Sequence, residues 1–177
     1  VTTYVYIAVS LDNYIAGPGG ALDWLNEIPN PTQSDFGFAE FLRGIDAVVM
    51  GRKTFETMLG FDTWPYSIPV FVFSRSLNAL PGNTDGKAEL IRGQPIEVMH
   101  VLGARGFHNL YVDGGRTIQG FLEADLIDEL IITRVPILLG GGVPLFGSLQ
   151  REMKFRLVST EPLNETLVKS HYVRDRN

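Results

Sequence analysis

Short apolar runs, each ending in glycine, serine or aspartate, alternate along this chain with segments of helical period. That alternation restricts the fold more than any other feature. The runs are Tyr4 to Ser10, Ala47 to Met50, Pro69 to Phe73, Glu89 to Ile91, Leu110 to Val112 and Glu129 to Val135. Between them Phe38, Phe41 and Leu42 recur at i, i+3 and i+4, as do Phe55, Met58 and Leu59, and Ile118, Phe121 and Leu122, so each set forms one face of a helix. Pro95 suits the first turn of a further helix over Ile96 to Ala104. Parallel strands need crossover segments of this kind, and the pattern predicts an α/β domain with a mostly parallel sheet. The end differs: "FRLVSTEPLNETLVKSHYV" reads as two extended segments turning at Asn164 and Glu165, an antiparallel hairpin that finishes the sheet. Residues 1–177 make one domain, with the proline-rich "EIPNPTQS" (27–34) as a loop inside it.

Composition narrows the function classes. No apolar run approaches the roughly 18 residues of a membrane helix, and Val1 to Leu11 lacks the basic region and cleavage site of a secretory signal, so a cytoplasmic protein without a membrane partner is expected. The absence of cysteine excludes disulfides, thiolate metal sites and cysteine nucleophiles. A net charge of −5 argues against nucleic acid as the main partner, which leaves any anion site local. His100, His108 and His171 show no ligand-like spacing with carboxylates, and no metal is expected.

In open α/β sheets ligands bind beyond the carboxyl ends of the strands. Three such ends stand out: "VVM" before Gly51-Arg52-Lys53-Thr54, "VFVF" before Ser74-Arg75-Ser76, and "LYV" before Asp113-Gly114-Gly115-Arg116-Thr117. Glycine opens backbone N–H groups to oxyanions and arginine suits a terminal phosphate, so the trio fits an extended, nucleotide-like ligand. Glycines after strands are equally often plain turn residues; the agreement of three loops favours the ligand. Neither a P-loop nor G-x-G-x-x-G is present, and "DFG" (35–37) lacks every partner it would need in a kinase. Asp35, after Ser34, opens a helix as a cap, or lines a pocket with Trp24 and Phe36. In that apolar setting its pKa is expected to rise, and its carboxylate would meet the N–H groups of a heterocycle.

The residues carry a resemblance. "DAVVMGRKTFETM" (46–58) is similar to the strand, turn and helix of dihydrofolate reductases, and Asp35 stands sixteen residues before Gly51, where that family has its pocket acid. "YVDGG" (111–115) and "LIDELIITRVPILLGGGVPLF" (126–146) resemble the pyrimidine reductase domain of bifunctional riboflavin-biosynthesis deaminase-reductases, a family on the same fold. The resemblance runs from "IAVSLDNYIAG" (7–17) to the terminal hairpin. It implies a mixed eight-stranded sheet flanked by helices, and reduction by NADPH of a C=N-type bond in a pterin- or pyrimidine-like ring. It also implies roles. Gly51, Arg52, Lys53 and Thr54 would hold the adenosine side and pyrophosphate. Ser74 and Arg75 would meet the 2′-phosphate, Gly114, Gly115, Arg116 and Thr117 the pyrophosphate, and Ala8, Ile15 and Ala16 the nicotinamide. Asp35 and Thr133 would anchor the substrate against Trp24 and Phe36. A cis peptide is implied between Gly114 and Gly115.

Departures from these families bear on the substrate. Trp24 lies eleven residues before Asp35, with the proline-rich insertion between, which alters the pterin-side wall. Asn13 follows the Asp of "SLD" where the pyrimidine reductases have glycine. No additional basic cluster accompanies Asp35 to receive a ribose phosphate, and with no deaminase-like segment the chain is not expected to perform both riboflavin-pathway steps. Two other classes remain open, a regulatory module that binds the nucleotide with little catalysis and an interaction protein with no nucleotide. A homodimer could pair through "IITRVPILL" or through the hairpin.

Overall fold

The structure is a computed structural model that describes residues 1–81, 84 and 86–177. In chain order the elements are β1 (Thr2–Val9), β2 (Tyr14–Ala16), a 3-10 turn (Pro18–Gly20), α1 (Asp23–Asn26), α2 (Phe38–Leu42), β3 (Ala47–Gly51), α3 (Arg52–Leu59), β4 (Val70–Phe73), β5 (Glu89–Ile91), α4 (Pro95–Ala104), β6 (Asn109–Asp113), α5 (Gly115–Glu123), β7 (Glu129–Arg134), β8 (Val143–Pro144), β9 (Lys154–Leu163) and β10 (Leu167–Asp175). Eight strands form one sheet in the order β5-β4-β3-β6-β1-β7-β10-β9, parallel from β5 to β7 and antiparallel at β10 and β9. The implied mixed, mostly parallel eight-stranded architecture is what the chain adopts. No helix among the described residues is long and apolar enough to cross a membrane.

The period-2 alternation of the strands sorts side chains to two cores. Ala47, Val49, Leu110, Val112 and Phe71 face Val98, Leu102, Ile118 and Phe121 of α4 and α5, whereas Val48, Met50, Tyr111 and Val72 face Phe55 of α3 and Phe38 and Phe41 of α2. Helices therefore cover both faces, which is why strands such as "AVVM" read as continuous apolar runs. Asp46 ties two strand starts together by accepting the N–H groups of His108 and Asn109, each at 2.8 Å.

The hairpin turns where its sequence predicted, with Asn164 and Glu165 at φ 41° and 64°. β1 begins and ends earlier than expected. Thr2 pairs with Asn109, while Ser10 leaves the ladder, its hydroxyl bonding Asp12 at 2.6 Å and accepting the N–H of Tyr14 at 2.9 Å. β2, β8 and α1 had no sequence signal, because two to four residues are too few to display a period. β2 and β8 exist through their mutual pairing, Tyr14 with Pro144 and Ala16 with Val143. Of the two candidate pairing surfaces, "IITRVPILL" contributes to β7 between β1 and β10, whereas the hairpin leaves Leu157, Val158 and Val168 exposed.

Candidate functional site

The parallel strands deliver their carboxyl ends to one edge of the sheet. Two of them, β3 and β6, pass directly into helices through Gly51 and Gly114. The two junctions touch. A Cβ on Gly51 would stand 2.7 Å from Thr117 Oγ1, and one on Gly114 would run into the Thr54 hydroxyl and stand 3.4 Å from its Cβ. Glycine is required at 114 on a second count, since its φ of 92° is a conformation L residues rarely adopt. Gly51, Thr54, Gly114 and Thr117 thus converge, which brings the starts of α3 and α5 together. Neither helix is capped by a side chain, in contrast to α4, where Gln94 and Glu97 form a reciprocal capping box. Uncapped N–H groups at a helix start are natural partners for oxyanions.

The Gly114–Gly115 peptide corrects one expectation: among the described residues there is no cis bond. The chain turns instead through Gly114 at φ 92° and ψ 135°, whose N–H donates to Asp113 Oδ1 at 2.8 Å. Glycine's freedom at positive φ makes the turn without the roughly 3 kcal/mol of a cis non-proline peptide. Over this junction lies the small β2–β8 sheet. A Cβ on Gly115 would meet Val143 Cγ1 at 2.7 Å and Ile15 Cδ1 at 3.2 Å, so Ile15, with buried Ala16 beside it, roofs the start of α5.

The cations ring this end. Arg52, Lys53, Arg75 and Arg116 are all exposed, and the Arg52 guanidinium pairs with Glu56 at 2.6 Å, one turn along α3. Ser74 is buried, and its hydroxyl accepts the N–H of Leu77 at 3.3 Å, which folds the loop carrying Arg75 back on itself. Beneath the glycines sits Asp113, 9% exposed, its carboxyl pushed up to about 6 by burial. The Gly114 N–H and the phenols of Tyr111 and Tyr66 pull in the opposite direction.

On the α2 side of the sheet, a cavity of about 230 Å³ opens between Ala8 of β1, Thr133 of β7, Tyr6, Leu25, Phe36 and Leu167, with Asp35 at its edge. Strand register explains the floor, since Ala8 and Thr133 are direct partners in the β1–β7 ladder. Trp24 packs with Val135 and Leu167 in the apolar cluster around this cavity, its indole N–H buried and without a partner among the described residues.

Asp35 does not sit in the apolar setting expected of it. It is exposed, and its two oxygens accept the N–H groups of Gly37 at 2.9 Å and Ala39 at 2.8 Å. These bonds, with Lys169 adding a smaller pull, hold the carboxyl below its ordinary range, so the expected upward shift is corrected. Asp35 both anchors α2 and edges the cavity.

Two residues the sequence reading missed hold the Asp35 loop. Tyr6 donates its hydroxyl to the Phe36 carbonyl at 2.8 Å, and Lys169 Nζ donates to the same carbonyl at 3.3 Å. Phe36 is kept at φ 54° and Gly37 at 90°, a pair of left-handed residues that turns the chain into α2. Burial, followed by the charges of Asp35 and Glu161, pushes the Tyr6 phenol up to about 12, so it remains a donor. Tyr6 was readable as a residue on the same strand face as Ala8, two positions away. Lys169 was not, because its place opposite Thr133 depends on the register of β10 against β7. Tyr111, beside Asp113, donates its hydroxyl to the Tyr6 carbonyl at 2.9 Å, which links β6 to β1.

Known proteins resemble the whole chain. YwjB of Bacillus subtilis (strain 168), itself uncharacterized, is 34% identical over 183 aligned positions spanning 97% of each protein. A crystal structure from Shewanella sp. PV-4, provisionally designated a riboflavin biosynthesis protein, superposes with a TM-score of 0.96 at 47% identity, covering 99% of this chain and 100% of that one. The fold alone is shared with the diaminohydroxyphosphoribosylaminopyrimidine deaminase/5-amino-6-(5-phosphoribosylamino)uracil reductase of Thermotoga maritima, at a TM-score of 0.76 and 16% identity, over 98% of this chain and 56% of that one. The model of the RibD C-terminal domain matches residues 2–169, and with these likenesses it establishes that the chain belongs to the RibD C-terminal domain family, on the dihydrofolate reductase-like fold.

Proposed function

We propose that this RibD-type reductase domain uses NADPH to reduce a C=N-type bond in, or attached to, a pyrimidine- or pterin-like ring. The observation that carries the reading is the meeting of two uncapped helix starts at Gly51, Thr54, Gly114 and Thr117, in a fold that also holds a cavity edged by a carboxylate. A cradle that a single Cβ would fill suits an extended diphosphate laid against backbone. NADPH, when bound, supplies the hydride.

The chain's own residues orient and polarise. N–H groups at the starts of α3 and α5, with the Thr54 and Thr117 hydroxyls, hold the pyrophosphate; Arg75 and Ser74 meet the 2′-phosphate, and Arg52, Lys53 and Arg116 lower the potential around them. Ala8, Ile15 and Ala16 wall the nicotinamide side and exclude water. Each Asp35 oxygen has spent one lone pair on α2 and keeps another for a ring N–H or amino group. Held ionised at neutral pH, Asp35 is an anchor rather than the proton source, and the proton that reaches the nitrogen of the reduced bond comes from water. Thr133 adds a hydroxyl at the cavity floor.

The test is NADPH oxidation with dihydrofolate and with 5-amino-6-(5-phosphoribosylamino)uracil, the substrate in the name of the Thermotoga maritima relative. Oxidation with either ring supports the reading. NADPH binding without oxidation across a panel of pterins and pyrimidines would replace it with a regulatory module. Arg75→Ala is expected to weaken NADPH about tenfold and NADH hardly at all, as loss of one charge-assisted contact predicts; equal losses would remove Arg75 from the 2′-phosphate.

A further inference from the structure

Next to the cavity, and sharing Phe36 with it, lies a second, solvent-open chamber of about 460 Å³ lined by Thr32, Ser34, Gly37, Glu161, Asn164 and Lys169. A substituent on a ring held by Asp35 has this chamber as its neighbour. Its charge is decided by strand register. Ala8, Thr133, Lys169 and Glu161 are successive partners across β1, β7, β10 and β9, which brings Glu161 beside Lys169.

Lys169, the only cation lining either space among the described residues, is already engaged. Its ammonium pairs with Glu161 at 2.8 Å, donates to the Phe36 carbonyl at 3.3 Å and acts on Asp35. Two carboxylates thus face one ammonium, a balance of −1 across the two spaces. A phosphate monoester would bring roughly −1.5 to −2 more. What the chamber does offer is uncharged: the hydroxyls of Thr32 and Ser34 and the Asn164 amide, which is fixed by its bond to the Pro29 carbonyl at 2.6 Å.

From this charge balance we infer that the chain takes a non-phosphorylated heterocycle bearing an uncharged, hydroxyl-rich side arm in the Glu161–Lys169 chamber. The inference rests on the reductase reading above and narrows its substrate class. It sets this chain apart from the phosphoribosyl compound in its relative's name.

The experiment is calorimetric binding, with NADP⁺ present, of 5-amino-6-(5-phosphoribosylamino)uracil and its dephosphorylated counterpart, followed by NADPH oxidation with each. The dephosphorylated compound is expected to bind about tenfold tighter or better, and the gap to shrink at high salt. Glu161→Gln, at a side chain 56% exposed, releases Lys169 and is expected to narrow the gap at least threefold, on the order of the energy of one partly exposed ion pair. Equal or tighter binding of the phosphorylated compound overturns the inference and leaves the reductase reading standing. Failure of both compounds, and of dihydrofolate, to bind or to be reduced overturns the two together.

Discussion

The two halves of the site are built in opposite ways. The half proposed for the cofactor is local: Gly51 to Thr54 and Gly114 to Thr117 are contiguous strand-turn-helix segments, and each already contains its glycine, hydroxyl and cation. The half proposed for the substrate is assembled from five distant places: Tyr6 and Ala8, Trp24 and Leu25, Asp35 and Phe36, Thr133, and Lys169 with Glu161. A local half changes function only by changing its motif. A half made from register and loop contacts can change its ligand through one side chain on a neighbouring strand and leave the cofactor seat untouched.

Substitutions that separate the halves test this division. The largest effect is expected from Gly114→Ala, which combines a forbidden φ with overlap on Thr54, and is predicted to weaken NADPH about a hundredfold or more. Measured by fluorescence titration at a temperature where circular dichroism shows the variant folded, unchanged affinity would take the α3–α5 junction out of cofactor binding. Asp35→Asn is expected to cut turnover about a hundredfold while NADPH affinity stays within about twofold, since Asn can still accept the Gly37 and Ala39 N–H groups only in part and loses the charge facing the ring. Wild-type turnover would reduce Asp35 to an anchor for α2.

The Asp113 carboxyl predicts a pH dependence from the floor of the cofactor half. Its folded pKa, about 6, lies above the ordinary 3.8, so the folded state holds the proton more tightly than the unfolded chain. The stability it contributes is present below 3.8 and is lost as pH rises through about 6. Asp113→Asn should therefore stabilise the protein at pH 8 by on the order of 1–3 kcal/mol, with the gain gone in acid. Thermal melts of both proteins across the range decide it, and a gain independent of pH would mean the carboxyl is not the strained group. The smallest effect is expected from Tyr6→Phe. Losing its bond to the Phe36 carbonyl should cost about 1 kcal/mol and raise the substrate KM severalfold, with the NADPH affinity unchanged; a parallel loss of both affinities would show the halves to be coupled through Tyr111.

Legibility followed the same division. The strands before Gly51 and Gly114 and the helices after them declared themselves in a dozen residues, because apolar period and glycine placement are properties of neighbours in sequence. Asp35 was found by type and place, yet its environment was misjudged. Phe36, Phe38 and Trp24 suggested an apolar pocket, whereas the carboxylate stands exposed at the cavity edge and accepts the Gly37 and Ala39 N–H groups. The Gly114–Gly115 bond was misread for a related reason, since a glycine pair allows several turns and only the packing around Thr54 and Ile15 selects among them.

The sequence by itself determined the alternation of strands and helices, the closing hairpin, the glycine and hydroxyl content of the strand ends, and membership in a reductase family, all of which reside in short stretches of chain. Tertiary structure alone decided that α3 and α5 start side by side, that β2 and β8 pair as a roof, that Asp35 stays ionised, and that Lys169 stands beside Glu161 opposite Thr133. Each of these depends on register or on contacts between segments far apart in the chain, and a one-residue slip in a strand, invisible in composition, would turn Lys169 to the other face of the sheet.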